Sequence, residues 1–321
     1  MFQLISQTDY KFMRIRRQAF IFSGVLILAS FLGWLIQGGF NLGIDFSGGL
    51  MIEYLFNQKL PLDEVRNTVT GIGFQGAEIT DIQGNPKNLM IRVPMQGSRS
   101  ANDMSPSAQI LAALQEKYPG LEGDLYLEES VGPKIGSELR GKATMAVLIS
   151  LLGILIYIAI RFELKFAFAA VLALFHDVLI TLGVFAILQR EITLPVIAAL
   201  LTIGGYSVND TIIVFDRIRE QLKIRRRVPF EDILDLSINQ TLSRTIITAS
   251  TTLFTVLALF ILGGQVIHDF ALAMLLGITI GTYSSIFVAS STVLVIQNLF
   301  NRARPSATGR IKTEASPAPS Q

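Results

Sequence analysis

The chain has 321 residues, half of them hydrophobic and only 16% charged, with a formal net charge of +2. Soluble domains are nearer a quarter charged, so this composition selects the membrane class, and so small a net charge argues against nucleic acid as a partner. Cysteine is absent, and His176 and His268 are the only histidines, which excludes disulfides, thiol chemistry and Cys- or His-rich metal sites.

Residues 1–18 carry Lys11, Arg14, Arg16 and Arg17 ahead of an apolar run at 19–38. That run is long enough to cross a bilayer and no small-residue cleavage site follows it, so it reads as an uncleaved first span. Residues 39–142 are mostly polar, with 13 acidic and nine basic side chains, and suffice for one small domain. Within them the pattern predicts strands at 50–56, 77–83, 88–94 and 124–130 and helices at 62–73 and 105–119. The resulting β-α-β-β-α-β order is the split, ferredoxin-like arrangement.

A five-helix membrane bundle is expected over 143–304, with spans near 143–160, 166–188, 194–215, 244–263 and 270–298. The charged, amphipathic segment 216–240 reads as short helices lying along the interface. The Ser/Pro/Ala-rich tail 305–321 reads as disordered. The basic stretches KFMRIRR, RFELK, DRIREQLKIRRR and NRARP all fall on one side of this topology. The positive-inside rule then makes both termini cytoplasmic and puts 39–142 outside.

Several polar residues sit where lipid should be. Asp210 precedes Asp216, where the fourth span leaves the membrane, by six residues, or roughly 9 Å at 1.5 Å per residue. Arg244 enters the fifth span at a comparable depth. Burial favours a protonated Asp210 and a nearby arginine an ionised one, so a changing Asp210–Arg244 distance would load and release a proton. A permanent buried ion pair, or Arg244 snorkelling to lipid phosphate, fits the same residues. Asn209 is an accessory polar neighbour. His176 and Asp177, mid-way along the third span, suit either a proton relay or hydrogen-bonded packing, and diverge by about 100° on the helix. Gly204 and Gly205 ahead of Asp210, and Gly277 and Gly281 in GITIGTYSS, allow close helix approach. His268 reads as a solvated helix start. No GxxxxGK[ST] loop and no hydrolase triad appear, so the chain reads as a non-enzyme without cofactors, powered by the membrane itself. One proton crossing 100 mV releases about 2.3 kcal/mol.

These stretches resemble a known family. GIDFSGG (43–49), VGPKIG (131–136), LFHDVLITLGVF (174–185), AALLTIGGYSVNDTIIVFDRIRE (198–220), SRTIITASTTLFTVLALFILGG (243–264) and FALAMLLGITIGTYSSIFVAS (270–290) are similar to the SecD/SecF family of protein-export membrane proteins. The resemblance covers nearly all of the chain except the tail; Ser47 stands where the family often has Thr, and Ser243 where it often has Asn. It implies a six-helix, RND-like bundle with a small α+β extracytoplasmic domain between the first two helices, in the bacterial plasma membrane. It also implies a SecD partner, the SecYEG channel with SecA, a translocating preprotein, and H+ as coupling ion acting at Asp210 and Arg244. Two other readings remain open from the residues themselves. One is a proton-coupled half-transporter for a small molecule or lipid; the other is an assembly factor whose buried charges only pack helices.

Overall fold

The computed structural model describes residues 8–82, 85–94 and 104–303; the expected tail 305–321 lies outside them. A short 3-10 turn, Phe12–Ile15, leads into α1 (Arg16–Ile36). The domain between the first two spans, named the outer domain after the expectation above, follows as α2 (Ile44–Ser47), β1 (Gly49–Phe56), α3 (Leu62–Gly71), β2 (Glu78–Ile82), β3 (Asn85–Val93), α4 (Pro106–Lys117) and β4 (Gly123–Val131). The chain then runs through α5 (Pro133–Arg161), α6 (Leu164–Ile187), α7 (Leu194–Ile224), α8 (Phe230–Leu262) and α9 (Gly264–Ser284). A π turn, Ser285–Ala289, joins α9 to α10 (Ser290–Ala303).

In the outer domain the sheet order is β2-β3-β1-β4, every neighbouring pair antiparallel, as the split arrangement requires. Alternation along β1 puts Leu50, Ile52, Tyr54 and Phe56 on one face. They meet Leu89, Ile91 and Val93 of β3 and, from the helices, Val65, Val69, Ile110 and Leu114. Each such side chain contributes about 1.5–3 kcal/mol on leaving water. Tyr54, fully buried, donates its hydroxyl proton to the Ser107 carbonyl at 2.5 Å. Ser105 opens α4 by accepting from the Ala108 amide at 3.2 Å, with Pro106 next in the first turn.

Six helices among the described residues are long and apolar enough to cross a membrane: Phe12–Ile36, Pro133–Arg161, Leu164–Ile187, Leu194–Ile224, Phe230–Leu262 and Ile267–Asn301. Their apolar windows are buried within the chain to very different extents. The third, fourth and sixth reach 56%, 50% and 56%, the fifth 17%, and the first and second only 11% and 6%. The core of the bundle is therefore α6, α7 and α9–α10.

Segment 216–240 departs from expectation. It is not a pair of interfacial helices: 216–224 finishes α7, 230–240 begins α8, and only 225–229 interrupts them. Ile218, Ile233, Leu234 and Ile238 are buried in one cluster with Val214 and Phe215. The apolar stripe that suggested a lipid-facing surface is the seam of a helical hairpin. The N-terminal turn docks onto it, the Met13 amide donating to Asp235 Oδ1 at 2.8 Å and Arg16 pairing with Glu231 at 2.6 Å.

The outer domain is fastened to the bundle through the α6–α7 connection and the start of α5. Gly43 donates its amide to the Ile192 carbonyl at 2.9 Å, and the Ile192 amide donates to the Asn41 carbonyl at 2.8 Å. Asp45 accepts from the Leu194 amide at 2.8 Å. Arg92, on β3, pairs with Glu78 at 3.1 Å and with Glu191 of the connection. Burial pushes the Arg92 guanidinium below its usual range, Glu78 pulling the other way. Gly48 and Gly49 have φ of 71° and 140°, and a Cβ on Gly48 would lie 2.9 Å from Pro133 Cα. Only glycine both takes that backbone and lets it lie against α5.

Candidate functional site

Helix α7 follows Thr193 with Pro195 in its first turn, where proline's missing N–H costs nothing. Ser207, Asp210, Thr211 and Val214 are all buried along it, the i, i+3, i+4, i+7 spacing of an inward face. Asp210 is 2% exposed, and its Oδ2 has no hydrogen-bond partner among the described residues. Thr245 Oγ1 on α8 is likewise buried without a partner among the described residues. Arg244 is exposed on α8. Its charge reaches Asp210 through space, but no ion pair joins the two among the described residues. Of the arrangements the sequence left open, the structure therefore does not display the closed Asp210–Arg244 pair. Asn209, next to Asp210, lies on the exposed side of α7.

A second polar cluster is fully satisfied. His176 and Asp177, though adjacent, are joined by Nδ1···Oδ1 at 2.8 Å. Asp177 Oδ2 accepts from the hydroxyls of Ser207 at 2.6 Å and Ser284 at 2.7 Å. His176 Nε2 meets Ser23 Oγ of α1 at 3.0 Å, and that oxygen meets the Tyr283 hydroxyl at 3.2 Å. Tyr283 in turn donates to the Ala19 carbonyl at 2.8 Å. Four helices thus converge on one buried histidine–aspartate pair. Sequence reasoning found the pair but missed Ser23, Tyr283 and Ser284. No signal in the sequence separates them from the serines and threonines that bond within their own helices.

The glycines divide. A side chain on Gly277 would collide with Ile203 of α7, and a Cβ on Gly281 would lie 3.1 Å from Ser207 Cβ and 3.5 Å from Asp177 Oδ2. Gly281 thus lets α9 close on α7 at the polar cluster. A Cβ on Gly204 would meet Leu174 Cδ1 at 3.4 Å, an ordinary contact. Gly205, expected in helix packing, is exposed on the outer side of α7, and a Cβ there would meet nothing within 4 Å among the described residues. His268 is also not a solvated helix start: it lies within α9, stacked on Phe260 with ring centroids 4.2 Å apart.

With this geometry in hand, comparison with known proteins gives consistent results. Residues 112–299 match the family described as "Protein export membrane protein SecD/SecF, C-terminal", and 33–59 match the "SecD/SecF GG Motif". "Protein translocase subunit SecF" of Vibrio alginolyticus is 45% identical over 295 residues, covering 92% of each chain. The chain belongs to the SecF family of protein translocase subunits. The SecF relative of Calditerrivibrio nitroreducens is 46% identical over 88% of this chain and 92% of its own. The Gly48-Gly49 turn against α5 lies within the segment that matches the GG motif.

Solved structures agree. SecDF of Thermus thermophilus, described as a translocon-associated membrane protein, superposes with a TM-score of 0.81 at 38% identity over 93% of this chain. A SecDF structure in a "Super-membrane-facing form" gives 0.66 at 37% identity over 94%. The SecF-family chain spans 40% of the length of each of those SecDF chains. It is a multi-pass helical membrane protein with a small α+β domain.

Proposed function

We propose that this SecF-family chain couples proton movement across the bacterial plasma membrane to protein export, with Asp210 carrying the proton and Arg244 as its movable counter-charge. It would act with a SecD-type partner, beside the SecYEG channel and SecA, on a translocating preprotein. Both termini would be cytoplasmic and the outer domain would face the other side. The observation that carries this reading is Asp210 itself, 2% exposed, with one carboxylate oxygen unpartnered among the described residues. An ionisable group inside a membrane span is costly and is retained where it serves transport of ions or substrate. A carboxylate clamped by a fixed arginine would stay ionised, whereas one whose arginine stands off exchanges its proton as that distance changes. Arg244, exposed on α8, is free to approach.

The test is export of a preprotein into proton-energised vesicles. Asp210→Asn is expected to abolish the stimulation by the proton gradient at normal protein level, and Arg244→Ala to reduce it. Unchanged stimulation in Asp210→Asn would remove the coupling role.

A further inference from the structure

We infer that the end of α5 nearest the outer domain holds an anionic glycerophospholipid, with its phosphate on Arg140 and an acyl chain in the crevice below. Depth, shape and charge carry this, and none of them depends on proton coupling at Asp210.

Depth comes from the sequence of α5. Between Lys142 and Arg161 run 18 residues without a charge, roughly 27 Å at 1.5 Å per residue, close to the thickness of a bilayer's hydrocarbon. Residues 143–160 therefore lie at hydrocarbon depth. Arg140 stands three residues beyond them, roughly 4–5 Å further out, at the level of lipid headgroups.

Arg140, Ala143, Thr144, Val147 and Leu148 line one side of a crevice of about 270 Å³, at the i, i+3, i+4, i+7, i+8 spacing of a single helical face. Phe46 of α2, with Ile192 and Ile197 beside the start of α7, forms the opposite wall. The crevice exists because α5 packs so little against its own chain, only 6% of its apolar window being buried. Ala143 and Thr144 are also too short to fill the gap. Below Arg140 the one polar side chain is Thr144, and its hydroxyl already donates to the Arg140 carbonyl at 2.9 Å. About nine waters would be needed to occupy such a volume, and no side chain there is left to bond them. An acyl chain suits it, entering from the side where Leu148 is 61% exposed.

Charge is supplied at the mouth. Arg140 Nη2 donates to the Phe46 carbonyl at 2.8 Å, which holds the guanidinium over the crevice and uses one of its five N–H donors. Arg140 is exposed and forms no ion pair among the described residues. Its neighbours at the base of the outer domain are answered by carboxylates, Arg92 by Glu191 and Arg190 by Asp269. Lys142 lies about 200° away around α5, and Glu138, four residues earlier, shares that far face with it. The groove face thus presents a single uncompensated arginine, whose forked donors match two oxygens of a phosphodiester. Free phosphate offers the same oxygens but nothing for the crevice. A zwitterionic lipid brings a cation of its own towards the arginine. A bound anionic lipid would bridge a loosely packed helix and the docked linker.

The experiment uses the full chain in complex with a SecD-type partner in detergent. Native mass spectrometry counts the lipid retained from equal amounts of phosphatidylglycerol and phosphatidylcholine with identical acyl chains. One phosphatidylglycerol per complex is expected, in preference to phosphatidylcholine. Arg140→Gln, which keeps a donor for the Phe46 carbonyl, should lower that retention about tenfold, the weight of a hydrogen bond to a charged group. Lys142→Gln, which removes the same charge from the far face, should leave it within about twofold, the span expected of a screened boundary charge. Thr144→Phe, reaching into the crevice from an exposed position, should displace the lipid while hydrogen exchange at the Gly43 and Ile192 amides shows the outer domain still docked. Equal losses in Arg140→Gln and Lys142→Gln would overturn the proposal, as would retention indifferent to Thr144→Phe. So would competition by glycerol phosphate as effective as that by the lipid, which would reduce the site to one for free anions. A lipid held by the chain alone but absent from the complex would also overturn it, the partner then filling the crevice.

Discussion

Arg92 is the side chain on which the docking of the outer domain turns, and Arg92→Ala tests that. The guanidinium stem is 10% exposed, Glu191 is 23% exposed and Glu78 66%. Breaking a fully buried pair costs about 3–5 kcal/mol, because the stranded charge is left unpaired, whereas an exposed pair is worth about 0–1 kcal/mol. Glu191 is the partner left stranded and Glu78 the one that water rescues. The expected loss is therefore about 2–3 kcal/mol of docking free energy. At 1.4 kcal/mol per tenfold, the undocked fraction rises roughly thirty- to hundredfold. The amides of Gly43 and Ile192, whose bonds stitch the domain linker to the α6–α7 connection, are the reporters. Hydrogen exchange of the full chain in lipid should speed up at those two amides by that factor, with the Ile52 and Ile91 amides in the sheet unchanged. Glu78→Gln should shift them by about fivefold or less. If Arg92→Ala leaves the Gly43 and Ile192 amides within about twofold of the unaltered chain, a well-made ion pair here contributes nothing and the reasoning fails.

Three further outcomes follow from the same structure. Glu53, 2% exposed on β1 with one oxygen unpartnered among the described residues, has its carboxyl raised above the ordinary 4.5 by burial, a hydrogen bond from Asn88 opposing. The folded domain therefore binds this proton more tightly than the unfolded chain, and its contribution is full below pH 4.5 and lost as pH rises through the folded value. Glu53→Gln should raise the outer domain's unfolding temperature at neutral pH and flatten that dependence, which a pH series of thermal melts checks. At the α1–α6 crossing a Cβ on Gly183 would sit 2.7 Å from Ser30 Cα, so Gly183→Ala should destabilise the bundle by about 1–3 kcal/mol. Gly205→Ala, with open space around it, should not, and thermal unfolding in detergent compares the two. On the outer domain's surface, the Tyr118 hydroxyl and then Lys117 hold the Glu64 carboxyl below its ordinary value, while burial and that same hydrogen bond push Tyr118 up to about 12. Tyr118→Phe should let Glu64 titrate closer to 4.5, followed by carbon NMR.

Much of the architecture was legible because it depends on periodicities that survive without tertiary context. Apolar runs of span length mark the six helices, and period-two alternation such as Leu50-Ile52-Tyr54-Phe56 marks the strands. The 216–240 hairpin was not, since Ile218, Ile233, Leu234 and Ile238 have the same spacing whether they meet lipid or one another. At the site, Asp210 stands out by residue type alone, but the stand-off of Arg244 depends on which side of α8 it occupies. The serines are hardest to read. Thr248 and Thr251 return their hydroxyls to their own helix carbonyls, as most such residues in apolar helices do. Nothing in the sequence separates these from Ser23 or Ser207, which reach across to a neighbour.

The uneven burial of the spans has a mechanical consequence. The outer domain hangs from α1 on one side and α5 on the other, and these are the two helices least embedded in the chain's own bundle, at 11% and 6%. Displacing a helix costs in proportion to the contacts it must surrender, so the covalent path from the membrane to the outer domain runs through the two most yielding helices. The stiff part, α6 with α7 and α9–α10, holds the ionisable side chains in place, and the compliant part carries the domain. The two covalent tethers of the outer domain are thus the compliant ones, and what holds it rigid against the core is the α6–α7 connection gripped by Gly43, Asp45 and Arg92.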